Sequence, residues 1–318
     1  MKWNNYFANK EEGFFLDGVI NIYKEKGFTS HDVVAVVRKI IGQKKVGHTG
    51  TLDPEAEGVL PICLGKATKL ADYIMAEKKE YTAIVKLGII TTTEDAFGEV
   101  LEEKEVIFDE NRIKEAVYSF KGSCMQTPPM YSAIKVNGKK LYELAREGKE
   151  IERKSRKIFI FDIQILGFLP PDSVKIHVVC SKGTYIRTLC SDIGKKLECG
   201  AHMAALVRTA SGNFKLENAI TLSNLKNLKE SNELEKVLIS IDKVLENYNK
   251  VYVKEKSTKL LYNGGKIYED FFLNCTKPVV IGEKILAYDS KKNFVGIFEI
   301  NRDEEKNKVY IKPLKIML

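Results

Sequence analysis

The residues with the clearest capacity for chemistry are crowded into one short segment, Lys45-Val46-Gly47-His48-Thr49-Gly50-Thr51-Leu52-Asp53-Pro54. Glycine adopts backbone angles that other residues avoid, and a proline pushes the residue before it toward an extended conformation. The segment therefore predicts a shaped loop that holds the Asp53 carboxylate at a set position. We interpret Asp53 as a candidate catalytic group. The alternative is an ordinary turn aspartate, since Asp-Pro also occurs in turns.

Three further side chains are candidates for the same site. Arg187 ends the segment Cys180-Ser181-Lys182-Gly183-Thr184-Tyr185-Ile186-Arg187, in which a strand ends and a helix begins, and it is a cationic partner for a carboxylate. Tyr81 opens a strand beside Lys78 and Lys79, where an aromatic ring could stack on a base. His48 lies between glycine and threonine and is not expected in a core. The alternatives are a surface helix position for Arg187 and a core position for Tyr81.

Metal and cofactor chemistry find no support in the sequence. The four histidines lie far apart, and none of the six cysteines forms a Cys-x-x-Cys pair. The Gly-x-Ser-x-Gly nucleophile elbow, the phosphate-binding P-loop and the dinucleotide fingerprint are all missing. No metal or cofactor is therefore expected. The N-terminal residues lack an apolar signal core, which predicts a reducing cytoplasm and free thiols.

The elements that must position these residues form an α+β pattern. Apolar periodicity predicts strands at 19–23, 59–64, 81–87, 158–166, 174–179 and 203–207. Helices are predicted after the Thr29-Ser30 cap to Gly42, and at 66–77, 109–122, 141–146, 184–197 and 222–245. A hairpin turn is expected at Val136-Asn137-Gly138-Lys139. Because no regular βαβ repeat appears, we predict a mixed, largely antiparallel sheet with flanking helices.

The last part of the chain has a different composition. Short strands are predicted at 251–253, 279–285, 294–300 and 309–311, which fits a small β-barrel-like domain. Residues 250–318 contain 14 Lys/Arg and 9 Asp/Glu, a local charge of +5 within a total of +8. This balance suits a polyanion such as RNA. A β domain for stability or dimerisation is the alternative. The expected units are an N-terminal extension at 1–17, a catalytic domain at 18–245 and an RNA-binding domain at 246–318.

Several sequence motifs of this chain resemble those of the TruB-type tRNA pseudouridine synthases. The matching segments, in order along residues 18–210, are Gly47-His48-Thr49-Gly50-Thr51-Leu52-Asp53-Pro54 with Gly58-Val59-Leu60-Pro61, Tyr81-Thr82-Ala83-Ile84-Val85-Lys86-Leu87-Gly88, Pro129-Met130-Tyr131-Ser132-Ala133-Ile134-Lys135, Gly138-Lys139-Lys140-Leu141-Tyr142 and Ser181-Lys182-Gly183-Thr184-Tyr185-Ile186-Arg187. The C-terminal β domain resembles the PUA-type RNA-binding module of bacterial members. The implied fold is a pseudouridine-synthase domain plus a PUA domain.

The resemblance implies an isomerase that converts uridine 55 of the tRNA T loop to pseudouridine after flipping the base. Asp53 is the implied carboxylate that acts on the ribose, and Arg187 the arginine that pairs with it and lowers its pKa. Tyr81 is the third implied catalytic residue, a tyrosine that stacks on the target base and is a candidate for proton transfer. The implied RNA-binding positions are His48, Tyr185, Lys24 and Leu206. The implied partner is tRNA, bound by a monomer that needs no other protein.

The chain departs from the family pattern in the loop after its first strand. Where the family has Lys-Pro-x-Gly after the first strand, this chain has Lys24-Glu25-Lys26-Gly27, and the loop is expected to hold through Lys24 and Gly27.

Two other classes of protein are alternatives to a tRNA pseudouridine synthase. A non-catalytic RNA-binding protein is one, but it has no need for Asp53. A third possibility is an rRNA-directed or H/ACA-guided synthase, which the modest charge and the lack of a long basic tail disfavour.

Overall fold

A computed structural model describes residues 15–75, 78–136 and 138–317, and it contains two main β-sheets, one in each part of the chain. Of the expected N-terminal extension, residues 1–14 lie outside this description, as does Asn137 in the predicted hairpin turn. Lys135 and Lys140 pair across that turn as expected. Within the described residues, no helix is long and apolar enough to cross a membrane.

The first part contains the larger sheet and its helices. Its strands are β1 (Gly18–Lys24), β2 (Val46–His48), β3 (Glu57–Leu64), β4 (Lys79–Leu87), β5 (Ile89–Thr91), β6 (Val100–Glu103), β7 (Gly122–Gln126), β8 (Lys135–Val136), β9 (Lys139–Lys140), β10 (Arg156–Leu169), β11 (Ser173–Cys180), β12 (Ala201–Ser211), β13 (Phe214–Lys215) and β14 (Leu238–Ile239). Its helices are α1 (Ser30–Ile41), α2 (Ala71–Met75), α3 (Glu110–Tyr118), α4 (Leu141–Arg146), α5 (Ile186–Lys196), α6 (Leu222–Glu230) and α7 (Ile241–Val244).

The strands of this sheet lie in the order β14-β1-β3-β12-β4-β11-β10-β7, and two short strands branch from this path, β2 paired with β3 and β13 paired with β12. Every pairing is antiparallel except that of β3 with β12, so the predicted mixed, largely antiparallel sheet is confirmed. At the parallel seam Gly58 faces Arg208, and a Cβ on Gly58 would lie 2.2 Å from the Arg208 carbonyl oxygen. Only glycine allows this close approach of the two strands.

Helix α1 forms between the two boundaries that the sequence predicts. Thr29 caps α1 by a reciprocal capping box with Asp32, and Gly42 ends the helix in the left-handed conformation (φ 81°). Two predicted helices are wrong in part. The segment 66–77 contains a 3-10 turn (Gly65–Leu70) before α2, and 222–245 is divided into α6, a 3-10 turn, β14 and α7. Leu238 and Ile239 leave the helical pattern because they pair with β1.

The second part is a six-stranded sheet with one helix and its own apolar core. Its elements are β15 (Asn249–Val253), α8 (Thr258–Tyr262), β16 (Ile267–Tyr268), β17 (Phe272–Cys275), β18 (Lys284–Tyr288), β19 (Phe294–Asp303) and β20 (Lys308–Ile316). The predicted strand at 279–285 is wrong over most of its length. The strand begins at Lys284, because Gly282 turns the chain at φ 82°, and Val279–Ile281 is an exposed loop.

The two parts share an apolar interface. Leu286, Tyr288, Ile297 and Met317 of the second sheet belong to one buried cluster with residues of the first part, namely Val19, Leu70, Phe214 and Leu245. Burial of large side chains on both sides favours a fixed orientation over a flexible linkage.

Candidate active site

The loop between β2 and β3 holds Asp53 by hydrogen bonds to the residues on either side of it. The Ser30 hydroxyl, at the start of α1, accepts from the Leu52 N–H at 2.9 Å and donates to the Leu52 carbonyl at 3.2 Å. On the other side, the Pro54 carbonyl accepts from the Gly27 N–H at 3.0 Å. The predicted shaped loop is therefore present, and its position is fixed by the first strand and first helix.

Lys24 stabilises this loop by hydrogen bonds from its ammonium group. Its side chain is wholly buried (0% exposed), and its ammonium donates to the carbonyl oxygens of Pro54 (2.8 Å), Phe28 (2.6 Å) and Glu25 (3.0 Å). Burial lowers the pKa of Lys24 to about 8. Glu25 supplies its carbonyl oxygen where the family has proline, and Gly27 turns at φ 87°. Lys24 is thus positioned to hold the loop, and contact with RNA stays a prediction.

Arg187 binds the Asp53 carboxylate with two donors. Its Nε lies 3.0 Å from Oδ2 and its Nη2 3.4 Å from Oδ1. Arg187 is only 5% exposed, and its guanidinium also donates to the carbonyl oxygens of Tyr131 (2.8 Å, from Nη2) and Thr93 (3.0 Å, from Nη1). Because Tyr185 is extended and α5 begins at Ile186, Arg187 falls in the first turn and points into the site. The interpretation of Arg187 as a surface helix residue is therefore wrong.

Asp95 also contacts Arg187, and the sequence interpretation missed it. Its Oδ2 lies 3.5 Å from Arg187 Nη1, so one arginine bridges two carboxylates. Asp95 lies in the turn between β5 and β6, and its backbone forms an isolated β-bridge with Met203 in β12. Its sequence context, an acid in a threonine-rich turn, is typical of many surface turns and gave no signal of a site.

The electrostatics of Asp53 differ from the expectation. Burial raises the pKa of its carboxyl, and the neighbouring Asp95 adds to that rise, while Arg187 and Lys24 oppose it. Arg187 does lower the pKa of Asp53, as predicted, but the net shift of that pKa is upward. The physical reason is that the carboxylate has lost solvent over much of its surface, although its side chain remains 41% exposed toward the cleft.

Tyr81 lies in β4 directly opposite Arg208 in β12, beside the parallel seam. It is only 8% exposed and belongs to the apolar core, as the alternative interpretation expected, so stacking on a base stays a prediction. Burial raises the pKa of the Tyr81 phenol, so the hydroxyl stays protonated at neutral pH. Arg208 is itself buried and donates to the carbonyl oxygens of Val59 (2.7 Å) and Gly50 (3.3 Å). This arginine, which the sequence interpretation also missed, thereby links the sheet to the loop that carries Asp53.

Of the three remaining candidates, one lines the cleft that contains Asp53. Leu206 lines the same cleft as Asp53, and register shifts on either side of it in β12 aim its side chain. His48 ends β2, with its ring edge-to-face on His31 at 5.2 Å, and burial lowers its pKa. Tyr185 is outside the residues that line the cleft, and its ring lies 5.2 Å from the Arg156 guanidinium.

The cleft contains a carboxylate held by an arginine, the sheet around it is largely antiparallel, and a second β unit follows. Comparison with known proteins identifies the class of enzyme that has this combination. Residues 38–186 match the TruB family pseudouridylate synthase N-terminal domain, and residues 187–246 match the tRNA pseudouridylate synthase B C-terminal domain. The chain belongs to the TruB family of pseudouridylate synthases.

Relatives and solved structures cover nearly the whole chain. The tRNA pseudouridine synthase B of Alkaliphilus oremlandii is 49% identical over 95% of this chain and 99% of its own length. That of Clostridium acetobutylicum is 50% identical over 91% of this chain and 97% of its own. Among solved structures, a Cbf5–Nop10–Gar1 complex aligns with a TM-score of 0.74 and 28% identity, covering 99% of this chain and 92% of that one. The expected family and fold are therefore confirmed.

Proposed function

We propose that this protein isomerises the uridine at position 55 of the tRNA T loop to pseudouridine. The observation that carries the proposal is the Asp53 carboxylate, which lines a cleft and is held on two oxygens by the buried Arg187. Membership of the TruB family and the names of its relatives support tRNA as the substrate. A protein that only binds RNA has no need for a carboxylate held in this way in its cleft.

The reaction breaks the bond from ribose C1′ to uracil N1 and forms one from C1′ to C5, after which C5 loses its proton and N1 gains one. Asp53 acts on the ribose, either by attack on C1′ or by removal of the 2′ proton to give a glycal. Arg187 orients the carboxylate and favours its ionised form. The base must leave its stack to reach Asp53, at a cost of about a few kcal/mol. Stacking on Tyr81 and packing against Leu206 would offset that cost.

The rest of the molecule is assigned to RNA binding. In this proposal residues 18–245 form the catalytic domain and residues 246–318 a PUA-like domain that contacts the tRNA through its basic surface. His48, Tyr185 and Lys24 complete the positions proposed for substrate binding, with Lys24 acting through the loop that it holds. The protein is proposed to work in the cytoplasm as a monomer without an obligate protein partner.

Release of label from carbon 5 of uridine in a tRNA transcript tests the proposal. The purified protein alone, with no guide RNA and no added nucleotide, should release one equivalent per tRNA. Asp53→Asn should abolish release and leave the Kd for the transcript within about threefold, because the amide keeps the side-chain shape. Activity that requires a guide RNA would instead favour a guided synthase. Full release by Asp53→Asn would overturn the assignment of Asp53.

A further inference from the structure

An exposed aromatic side chain, Phe97, stands at the rim of the cleft that contains Asp53. Its side chain is 59% exposed and lines the same cleft as Asp53 and Leu206. A single exposed apolar residue is ordinary on a protein surface. Phe97 differs because the chain fixes it firmly beside the catalytic carboxylate.

The turn that presents Phe97 is tightly constrained. The Asp95 Oδ1 accepts from the Phe97 N–H at 3.0 Å and from the Thr93 hydroxyl at 2.6 Å. A Cβ on Gly98 would lie 2.4 Å from that hydroxyl, so the turn closes only with glycine there. Glu94 occupies the left-handed region (φ 61°), and its carboxylate accepts from the Thr188 hydroxyl at 2.6 Å. These constraints fix the direction in which residue 97 projects.

The same turn is tied directly to the catalytic pair. The second oxygen of Asp95 lies 3.5 Å from Arg187, whose other donors hold Asp53. The Ala96 N–H donates to the Met203 carbonyl at 3.1 Å, which fastens the turn to β12. Phe97 is therefore placed relative to Asp53 through one aspartate and one arginine, and not through a mobile loop.

A cation lies beside the ring. The Lys26 Nζ is 5.4 Å from the centre of Phe97 and 3.7 Å from a Glu55 carboxylate oxygen. Both Lys26 and Phe97 are exposed, and both line the cleft. An aromatic face next to an ammonium group is the combination that proteins use for single-stranded nucleic acid, with the base on the ring and the phosphate on the cation.

We propose that Phe97 and Lys26 form a second nucleotide subsite, in which Phe97 stacks on the base of a nucleotide adjacent to the target uridine and Lys26 contacts its phosphate. This subsite rests on the proposed function, because a strand that brings a base to Asp53 carries its neighbours past the same rim. Extrusion of the target removes a stacking partner from the adjacent base. The Phe97 ring replaces that partner and holds the strand open.

The test measures binding without turnover, in the Asp53→Asn background, with a T-arm hairpin and with hairpins that lack the base on the 5′ or the 3′ side of the target. Phe97→Ala should raise the Kd for the intact hairpin about 5- to 100-fold, the range expected for one stacked base. Phe97→Trp should keep the affinity. Leu101→Ala is the matched control, because Leu101 is exposed on the same hairpin but is not among the residues lining the cleft.

The abasic hairpins decide the interpretation. If Phe97 stacks on one neighbour, the effect of Phe97→Ala disappears with the hairpin that lacks that base and persists with the other. Lys26→Ala should lower the slope of log Kd against log salt by about one. An unchanged Kd for Phe97→Ala, or an equal loss with every hairpin, would overturn the subsite. Neither result bears on the proposed function, which fails if the wild-type protein releases no label in the absence of a guide RNA.

Discussion

Arg187 and Asp53 form a two-point contact between the first turn of α5 and the loop after β2, with donor–acceptor distances of 3.0 and 3.4 Å. The two residues are 134 positions apart in sequence. Their pairing requires the parallel seam of β3 and β12 and the helix start after Gly183. A bidentate contact fixes the orientation of the carboxylate as well as its distance.

Replacement of Arg187 by lysine should therefore damage catalysis although the charge is kept. A lysine ammonium cannot bind both Asp53 oxygens and the Tyr131 and Thr93 carbonyls together. We expect kcat to fall by about 100-fold or more, the loss seen when one preorganised donor is removed. Single-turnover label release measures this. Arg112→Lys, at an exposed position of α3, is the control and should leave kcat unchanged.

In the pH profile of kcat/KM, the acid limb should lie at a higher pH than the pKa of an ordinary aspartate. Burial and Asp95 raise the pKa of Asp53. The role proposed for Asp53 needs the ionised form, so kcat/KM should rise with pH through this displaced ionisation. Asp95→Asn removes one cause of the rise and should move the limb to lower pH. Asp192→Asn, on the outer part of α5, should not move it. A limb that Asp95→Asn leaves in place would contradict the electrostatic role of Asp95.

The same pKa direction makes a prediction about stability. A carboxyl whose pKa is higher in the folded than in the unfolded state binds its proton more tightly when folded. Its ionisation therefore destabilises the fold as pH rises from the unfolded pKa through the folded one, and the full cost is present above both. Asp53→Asn should raise Tm at pH 7.5, with a gain that shrinks as pH falls toward 4. Calorimetry across this range checks it, and a gain that grows on acidification would contradict it.

The difference between what the sequence predicted and what it missed has a physical basis. The Asp53 loop, the α1 caps and the antiparallel strands follow from local signals such as glycine, proline and period-two alternation. Asp95 and Arg208 carry no such signal, because their importance arises from partners more than 90 residues away in the chain. The strand predicted at 279–285 was wrong because apolar composition outweighed the turn at Gly282. Tyr81 was placed on the correct strand, but its register opposite Arg208 depends on the fold of the whole sheet.

His48 should contribute to RNA binding without electrostatic attraction. Burial, together with the nearby His31 and Arg208, lowers its pKa, so the imidazole is neutral at physiological pH. Its ring is already packed edge-to-face on His31, and its Nδ1 is buried without a hydrogen-bond partner in the described structure. His48→Ala should weaken binding of a T-arm hairpin equally at low and high salt, whereas loss of a phosphate contact changes the salt slope by about one. His48→Phe, which keeps a flat ring, should restore part of the affinity if the ring packs on RNA. A change in the salt slope for His48→Ala would show instead that the histidine is charged when RNA is bound.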